Sequence, residues 1–249
     1  MTNTTNGAAP HVALVHGAFA DNSGWNDVVT FLQAAGVTVT SVANPLRGIA
    51  EDARYVASAL RQIQAPVIAV GHSYGGAVIS NAATHVDNVV GLVFVAGFAP
   101  DEGEVLGQRV GDSKDSVLNS ALVALTYPTS EGGSATEFAI NPAAFHDAFA
   151  GDLPRQVTDV MAVTQRPVAE AAFTEPSGPP AWKRVRSWAV VSTKDTAAGS
   201  DVVRAMAERA GASITEVDGS HVIMMSQPKA VADVILDAVR ASTDEDSKS

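Results

Sequence analysis

"VIAVGHSYGGAVIS", residues 67 to 80, sets a serine between glycines directly after a run of apolar, mostly β-branched residues. Val67-Ile68-Ala69-Val70 is short, apolar and opened by Pro66, and reads as a strand buried on both faces. Gly75 to His85 reads as a helix, with Ala77, Val78, Ala82 and Ala83 on its apolar side. Between them, Gly71-His72-Ser73-Tyr74-Gly75 fits G-x-S-x-G. A strand-to-helix turn that sharp strains its central residue. Glycines two before and two after the serine remove the side chains that would clash. The serine hydroxyl is then pushed out above the sheet, beside a helix N-terminus with free N–H groups. A plain glycine-rich turn fits the same five residues, so the rest of the chain has to decide.

Outward from this turn, strands and helices alternate. Val12 to Val15 reads as a strand, Trp25 to Ala34 as a helix with Ser23 as its N-cap and Gly36 as its stop, and Val37 to Val42 as a strand. Glu51 to Ile63 reads as a helix and Val89 to Ala96 as a fourth strand. Residues 101 to about 185 break the alternation. They are rich in proline, show helical pieces at 142–149 and 154–165, and show no clear strand. Alternation returns with Trp188 to Ser192, a helix from Asp201, the strand Ile214 to Val217 and a helix from Pro228 to Arg240. Such alternation implies an α/β fold. The expected form is a doubly wound, mostly parallel six-stranded sheet with a helical cap insertion. Residues 1–100 and 186–242 are assigned to the core, 101–185 to the cap and 243–249 to a flexible tail.

Composition narrows the function. The 249 residues are 46% hydrophobic and 17% charged, with a net charge of −11. An acidic chain whose longest basic cluster is Lys183-Arg184-Val185-Arg186 is poorly suited to nucleic acid or anionic membranes, so neither is expected as a partner. There is no cysteine, hence neither a disulfide nor a thiolate metal site. The N-terminal MTNTTNGAAP has no basic and then apolar region of the secretory kind, and no apolar run reaches the roughly 18 residues of a membrane helix. A cytoplasmic protein is expected.

A serine hydroxyl needs a base to become nucleophilic at neutral pH. Six histidines are available. His11 begins a strand, His85 ends a helix, His146 lies in the insertion, His16 ends the first strand, and the side chain of His72 points away from its neighbour Ser73. His221 is the best candidate, in the loop Asp218-Gly219-Ser220-His221 after a strand. The base needs an acid to orient it. Asp195 leaves the C-terminal end of the strand Trp188 to Ser192; Asp101, after the fourth strand, is its rival, and Asp218 a weaker third, better read as a turn residue. The order Ser73, Asp195, His221 is that of α/β-hydrolase triads. An oxyanion hole needs two backbone N–H donors. One is that of Tyr74; the other belongs to the loop His16-Gly17-Ala18-Phe19, where Gly17 permits close approach.

The chain resembles the α/β-hydrolase superfamily over nearly its whole length, in "LVHGAF", "VGHSYGG", "LVFVAGFAPDEGE", "STKD" and "VDGSHVIMMSQP". It is most similar to the small subgroup of plant methyl esterases, hydroxynitrile lyases and their bacterial esterase-like relatives. The resemblance implies Ser73 as nucleophile, His221 as base, Asp195 as acid, and the N–H groups of Ala18 and Tyr74 as the oxyanion hole. No cofactor and no metal are expected. Two positions depart from the lyases, which carry a threonine where this chain has Gly17 and a lysine where it has Val222. Without that lysine, hydrolysis of carboxylic esters or lactones is the expectation. Carbon–carbon bond cleavage or lyase chemistry on the same triad, and a non-catalytic binding protein, are the alternatives. Phe19, Val222 and Met224 are the candidate substrate-binding residues. The expected substrate is small, neutral and apolar, and the protein a monomer or homodimer.

Overall fold

Apolar runs become strands here where both of their faces are covered. The computed structural model describes residues 9–130 and 132–246. Its first part runs β1 (His11–Val15), α1 (Asn26–Ala34), β2 (Val39–Val42), α2 (Ile49–Arg61), β3 (Val67–His72), α3 (Tyr74–Ala82) and β4 (Val89–Val95). The next segment carries α4 (Leu106–Asp112), α5 (Leu118–Ala121), β5 (Leu122–Pro128), β6 (Ser134–Ile140), α6 (Pro142–Phe149), α7 (Arg155–Thr164), β7 (Val168–Ala169) and α8 (Ala171–Thr174). The chain closes with β8 (Ser187–Ser192), α9 (Ser200–Arg209), β9 (Ser213–Val217), α10 (Ile223–Ser226) and α11 (Pro228–Asp246).

Six strands form one sheet in the order β2-β1-β3-β4-β8-β9, and every neighbouring pair is parallel. Helices α1 and α11 pack together, as do α2 and α3. Because α11 and α3 both touch β3 and β4, the two pairs cover opposite faces. This is the doubly wound α/β sheet expected from the sequence. The path through the sheet steps from β1 out to β2 and returns past β1 to β3. The β1/β3 boundary is therefore the point where strand order reverses, and ligands of open α/β sheets bind beyond the strand ends at such a point.

Three local expectations are corrected. The N-cap expected at Ser23 is Asp21, whose carboxylate accepts the Ser23 N–H at 2.8 Å ahead of a short 3-10 turn. The insertion is not free of strands: β5, β6 and β7 make a three-stranded antiparallel sheet beside its helices. The β5–β6 turn closes with the Thr129 N–H on the Gly133 carbonyl at 3.0 Å. Finally, α11 runs on to Asp246, past the Arg240 at which the last helix was expected to end, since neither glycine nor proline follows Arg240 to stop it. Residues 247–249 lie outside the described residues.

Among the described residues, Phe19, Leu46, Ser73 and Ala96 are non-glycines with positive φ, at 60°, 63°, 52° and 43°. Each lies just past the C-terminal end of β1, β2, β3 or β4. Backbone strain is gathered on one rim of the sheet, where functional sites of this architecture form.

Candidate active site

Ser73 joins β3 to α3 with φ 52° and ψ −124°, outside the regions that L-residues favour. The turn is held from both sides. The Ser73 N–H donates to the Val95 carbonyl at 3.1 Å, and the Ser73 carbonyl accepts from the N–H groups of Gly76 (2.9 Å) and Phe98 (3.1 Å). The flanking glycines answer a packing need. A Cβ on Gly71 would stand 2.4 Å from the Gly75 carbonyl oxygen, and one on Gly75 would stand 2.6 Å from the Val15 carbonyl oxygen. Strand, helix and the end of β1 thus meet at van der Waals distance only because both positions lack a side chain.

The loop after β1 lies directly against the serine. A Cβ on Gly17 would come within 2.7 Å of the Ser73 Cβ. Tyr74 opens α3, so its N–H has no acceptor within the helix. These placements put the Ala18 and Tyr74 amides on the two segments that border Ser73. The Tyr74 ring points elsewhere: its hydroxyl donates to Asp52 Oδ2 at 2.7 Å, and that carboxylate also accepts the Arg47 N–H. Both side chains are fully buried. Burial raises the Asp52 carboxyl above its ordinary value despite these hydrogen bonds, and pushes the Tyr74 phenol well up. Tyr74 anchors the turn from beneath.

Asp195 and His221 form a buried pair, His221 Nδ1–H donating to Asp195 Oδ2 at 2.7 Å, with the side chains 1% and 2% exposed. The other carboxylate oxygen accepts the N–H groups of Ala197 and Ala198, each at 2.9 Å. The carboxylate is fully engaged and cannot swing. Among the described residues no hydrogen bond occupies His221 Nε2, which leaves that nitrogen to take a proton. The rival acids are accounted for otherwise. Asp101 pairs with Lys183 at 2.5 Å and accepts the Glu102 N–H. Asp218 pairs with Lys194 at 2.8 Å on the surface.

Two partners of His221 were not read from the sequence. The His72 Nε2–H donates to the His221 carbonyl at 2.9 Å, and the two rings lie 4.7 Å apart. Burial first, then the neighbouring His221, hold His72 well below its ordinary value, so it stays neutral. From the insertion, Phe149 packs edge-on against the His221 ring at 5.0 Å. The sequence signal for Phe149 was only that of an apolar helix face. The insertion also grips the histidine loop through Asp152, which accepts the Ser220 N–H at 2.9 Å and the Ser220 hydroxyl. Three other histidines make contacts of their own: His11 meets Thr40, His146 meets Thr158 within the insertion, and the His85 carbonyl accepts from Arg61.

A cleft opens beside this constellation. Phe19, Val222 and Met224 all line it, with Met225 beside them and Met161, Thr164 and Gln165 of the insertion opposite. Neither Ser73 nor His221 is among its lining residues; it borders the site through Phe19 and Val222, the next residues after Ala18 and His221. Asp21 stands at its edge. Burial would raise the Asp21 carboxyl, but hydrogen bonds from the Ser23 hydroxyl and N–H outweigh this and hold it below its ordinary value. Among the described residues, no group of three or more His, Asp or Glu side chains is placed to hold a metal, and no helix is long and apolar enough to cross a membrane.

Comparison with known proteins agrees with this architecture. The sequence profile described as "Alpha/beta hydrolase family" matches residues 12–234. No curated protein matches the sequence. Among solved structures, polyneuridine aldehyde esterase superposes with a TM-score of 0.77 at 20% identity, covering 92% of this chain and 99% of that one. Tomato methylketone synthase I bound to 2-tridecanone gives 0.75 at 19% identity, covering 94% and 99%. The pyrethroid hydrolase PytH gives 0.74 at 21% identity, covering 95% and 99%. At these identities the likeness is one of fold.

Proposed function

The chain belongs to the alpha/beta hydrolase family, and on that footing we propose that it is a serine hydrolase cleaving neutral carboxylic esters or lactones through an acyl-enzyme on Ser73. The observation that carries this reading is the buried Asp195–His221 pair on the same rim as the strained Ser73 turn. Ser73 Oγ attacks the ester carbonyl while its proton passes to His221 Nε2. Asp195 fixes the imidazole with Nδ1 protonated and stabilises the imidazolium. The N–H groups of Ala18 and Tyr74 receive the carbonyl oxygen as it becomes an oxyanion. His221 then gives its proton to the leaving alkoxide, and a water activated by the neutral imidazole hydrolyses the acyl-enzyme.

Val222 supports hydrolysis over cyanohydrin cleavage, because the position after His221 is a buried apolar side chain with no ammonium to receive cyanide. Methionine, valine and phenylalanine walls favour apolar acyl or alkoxy groups, and the ionised Asp21 at the cleft edge disfavours a substrate carboxylate. Esterase and pyrethroid hydrolase are among the names borne by the structural neighbours, which fits this class. The insertion acts as a cap that roofs the cleft. The test is a fluorophosphonate probe followed by peptide mapping, together with kcat/KM for esters and lactones of graded acyl length. Labelling at Ser73, and a neutral ester preferred over its carboxylate-bearing analogue, are expected. Labelling at another serine sinks the mechanism.

A further inference from the structure

Beside the ring contacts of Phe149 and Phe173 with Phe19, Arg166 gives the insertion a polar contact with the end of β1. Arg166, between α7 and β7, donates from Nη1 to the Asn44 carbonyl at 2.9 Å and lies 3.1 Å from His16 Nε2. His16 is buried, 1% exposed, and every polar atom of its ring is used. Nε2 also accepts the Asn44 N–H at 3.0 Å, and Nδ1 faces the Gly17 carbonyl at 2.9 Å. Two donors at Nε2 and an acceptor at Nδ1 allow one arrangement only, the neutral ring with its proton on Nδ1. Burial, reinforced by the Arg166 charge, keeps the imidazole in that form by lowering it to about 4.

The Gly17 carbonyl and the Ala18 N–H belong to a single planar peptide and point in opposite directions. A hydrogen bond that fixes the carbonyl therefore also fixes the direction of the N–H. We propose that Arg166 is a positioning residue for the oxyanion hole: its guanidinium seats the His16 ring against the Gly17 carbonyl and so aims the Ala18 N–H. This rests on the hydrolase reading above. One Nη1 serves the Asn44 carbonyl and the ring nitrogen together, and the planar guanidinium holds that nitrogen more rigidly than the flexible stem of a lysine holds its ammonium. Another tie between insertion and core, Arg47 to Glu137 at 2.8 Å, does not touch this peptide and serves as the control.

The experiment compares wild type, Arg166→Met, Arg166→Lys and Glu137→Gln. The first readout is the second-order rate at which a fluorophosphonate labels Ser73, because that transition state also places an anionic oxygen in the hole. The second is kcat and KM for p-nitrophenyl butyrate. Deleting an oxyanion donor outright costs about 10²–10³ in kcat, and loosening its aim should cost about tenfold. Arg166→Met is expected to lower the labelling rate and kcat by about that factor with KM little changed. Arg166→Lys should fall between, and Glu137→Gln should label like wild type. Equal labelling rates in wild type and Arg166→Met, or a loss confined to KM, overturn the proposal, as does an equal loss in Glu137→Gln. If Arg166→Met does not fold, Arg166→Lys carries the comparison, and a wild-type rate there overturns it. Failure of the wild-type protein to label at Ser73 would remove the hydrolase reading itself, and this proposal with it.

Discussion

β3 and β5 are both apolar strands, yet they live under different rules. Every residue of β3 is buried, and its neighbours on both sides are parallel strands. β5 is the edge of a small antiparallel sheet, with Val123 and Leu125 about 40% exposed and Pro128 at its end. A strand covered on two faces has to be an unbroken apolar run, and so it can be read. An edge strand tolerates polar residues and a terminal proline, and so it blends into its surroundings. The parallel sheet is specified by burial. The insertion is specified by its contacts with the loops it meets, such as Phe149 on His221 and Asp152 on Ser220.

The sharpest way to break that comparison is to show that chemistry does not sit on the sheet rim. Ser73→Ala should leave the fold intact and remove nearly all activity, and Asp195→Asn should cost roughly 10⁴-fold in kcat through the wrong His221 tautomer. Asp101→Asn, losing a surface pair with Lys183, should cost little. Ester turnover assays on the three variants check this; a swap between the two aspartates would move the acid to β4.

Next in size is the stability contrast. Phe94 on β4 is 1% exposed, and Phe94→Ala should destabilise by about 3–5 kcal/mol. Leu125→Ala in β5 should cost under about 1 kcal/mol. Urea unfolding measures both, and similar losses would mean that the small sheet carries as much of the core as the large one.

Stability should also fall in acid. His16, ordinarily near 6.5, is held at about 4 by burial, and His72 moves in the same direction. The unfolded chain therefore takes up protons that the folded one refuses. The stability concerned is complete above pH 6.5 and is lost as pH falls toward 4, about 3 kcal/mol for His16. Urea midpoints between pH 7 and 4.5 should fall, and His16→Asn should show a shallower decline; parallel slopes would rule the imidazole out. The smallest effect belongs to Val163 on α7, 76% exposed, where Val163→Ala should stay within about 0.5 kcal/mol.

The same contrast explains how much was legible. Ser73 and Asp195 each follow a strand whose burial is written in its residues, and His221 follows the half-exposed edge strand β9, marked by its place in the strand–helix alternation, so their rim and order could be read. The β5–β6 hairpin also had a signal, two half-apolar runs flanking Thr129-Ser130-Glu131-Gly132-Gly133, but the density of prolines around it masked the pattern. Phe149 had only that of an apolar helix face, and Asp152 and Arg166 had none. Their roles depend on which loop the insertion folds back upon, and no spacing in the sequence encodes that.

The four non-glycine residues with positive φ have a bearing on when this protein becomes competent. At about 1–3 kcal/mol each, their combined cost is of the order of a domain's whole net stability, about 5–15 kcal/mol. Such conformations last only while the surroundings insist on them. The proposed nucleophile is therefore not a local property of Gly-His-Ser-Tyr-Gly: in a fragment or a half-assembled sheet the same pentapeptide would relax and withdraw its hydroxyl. Turnover reports on the finished β1–β3–β4 assembly, and during refolding it is a signal that only the last, fully consolidated state can give.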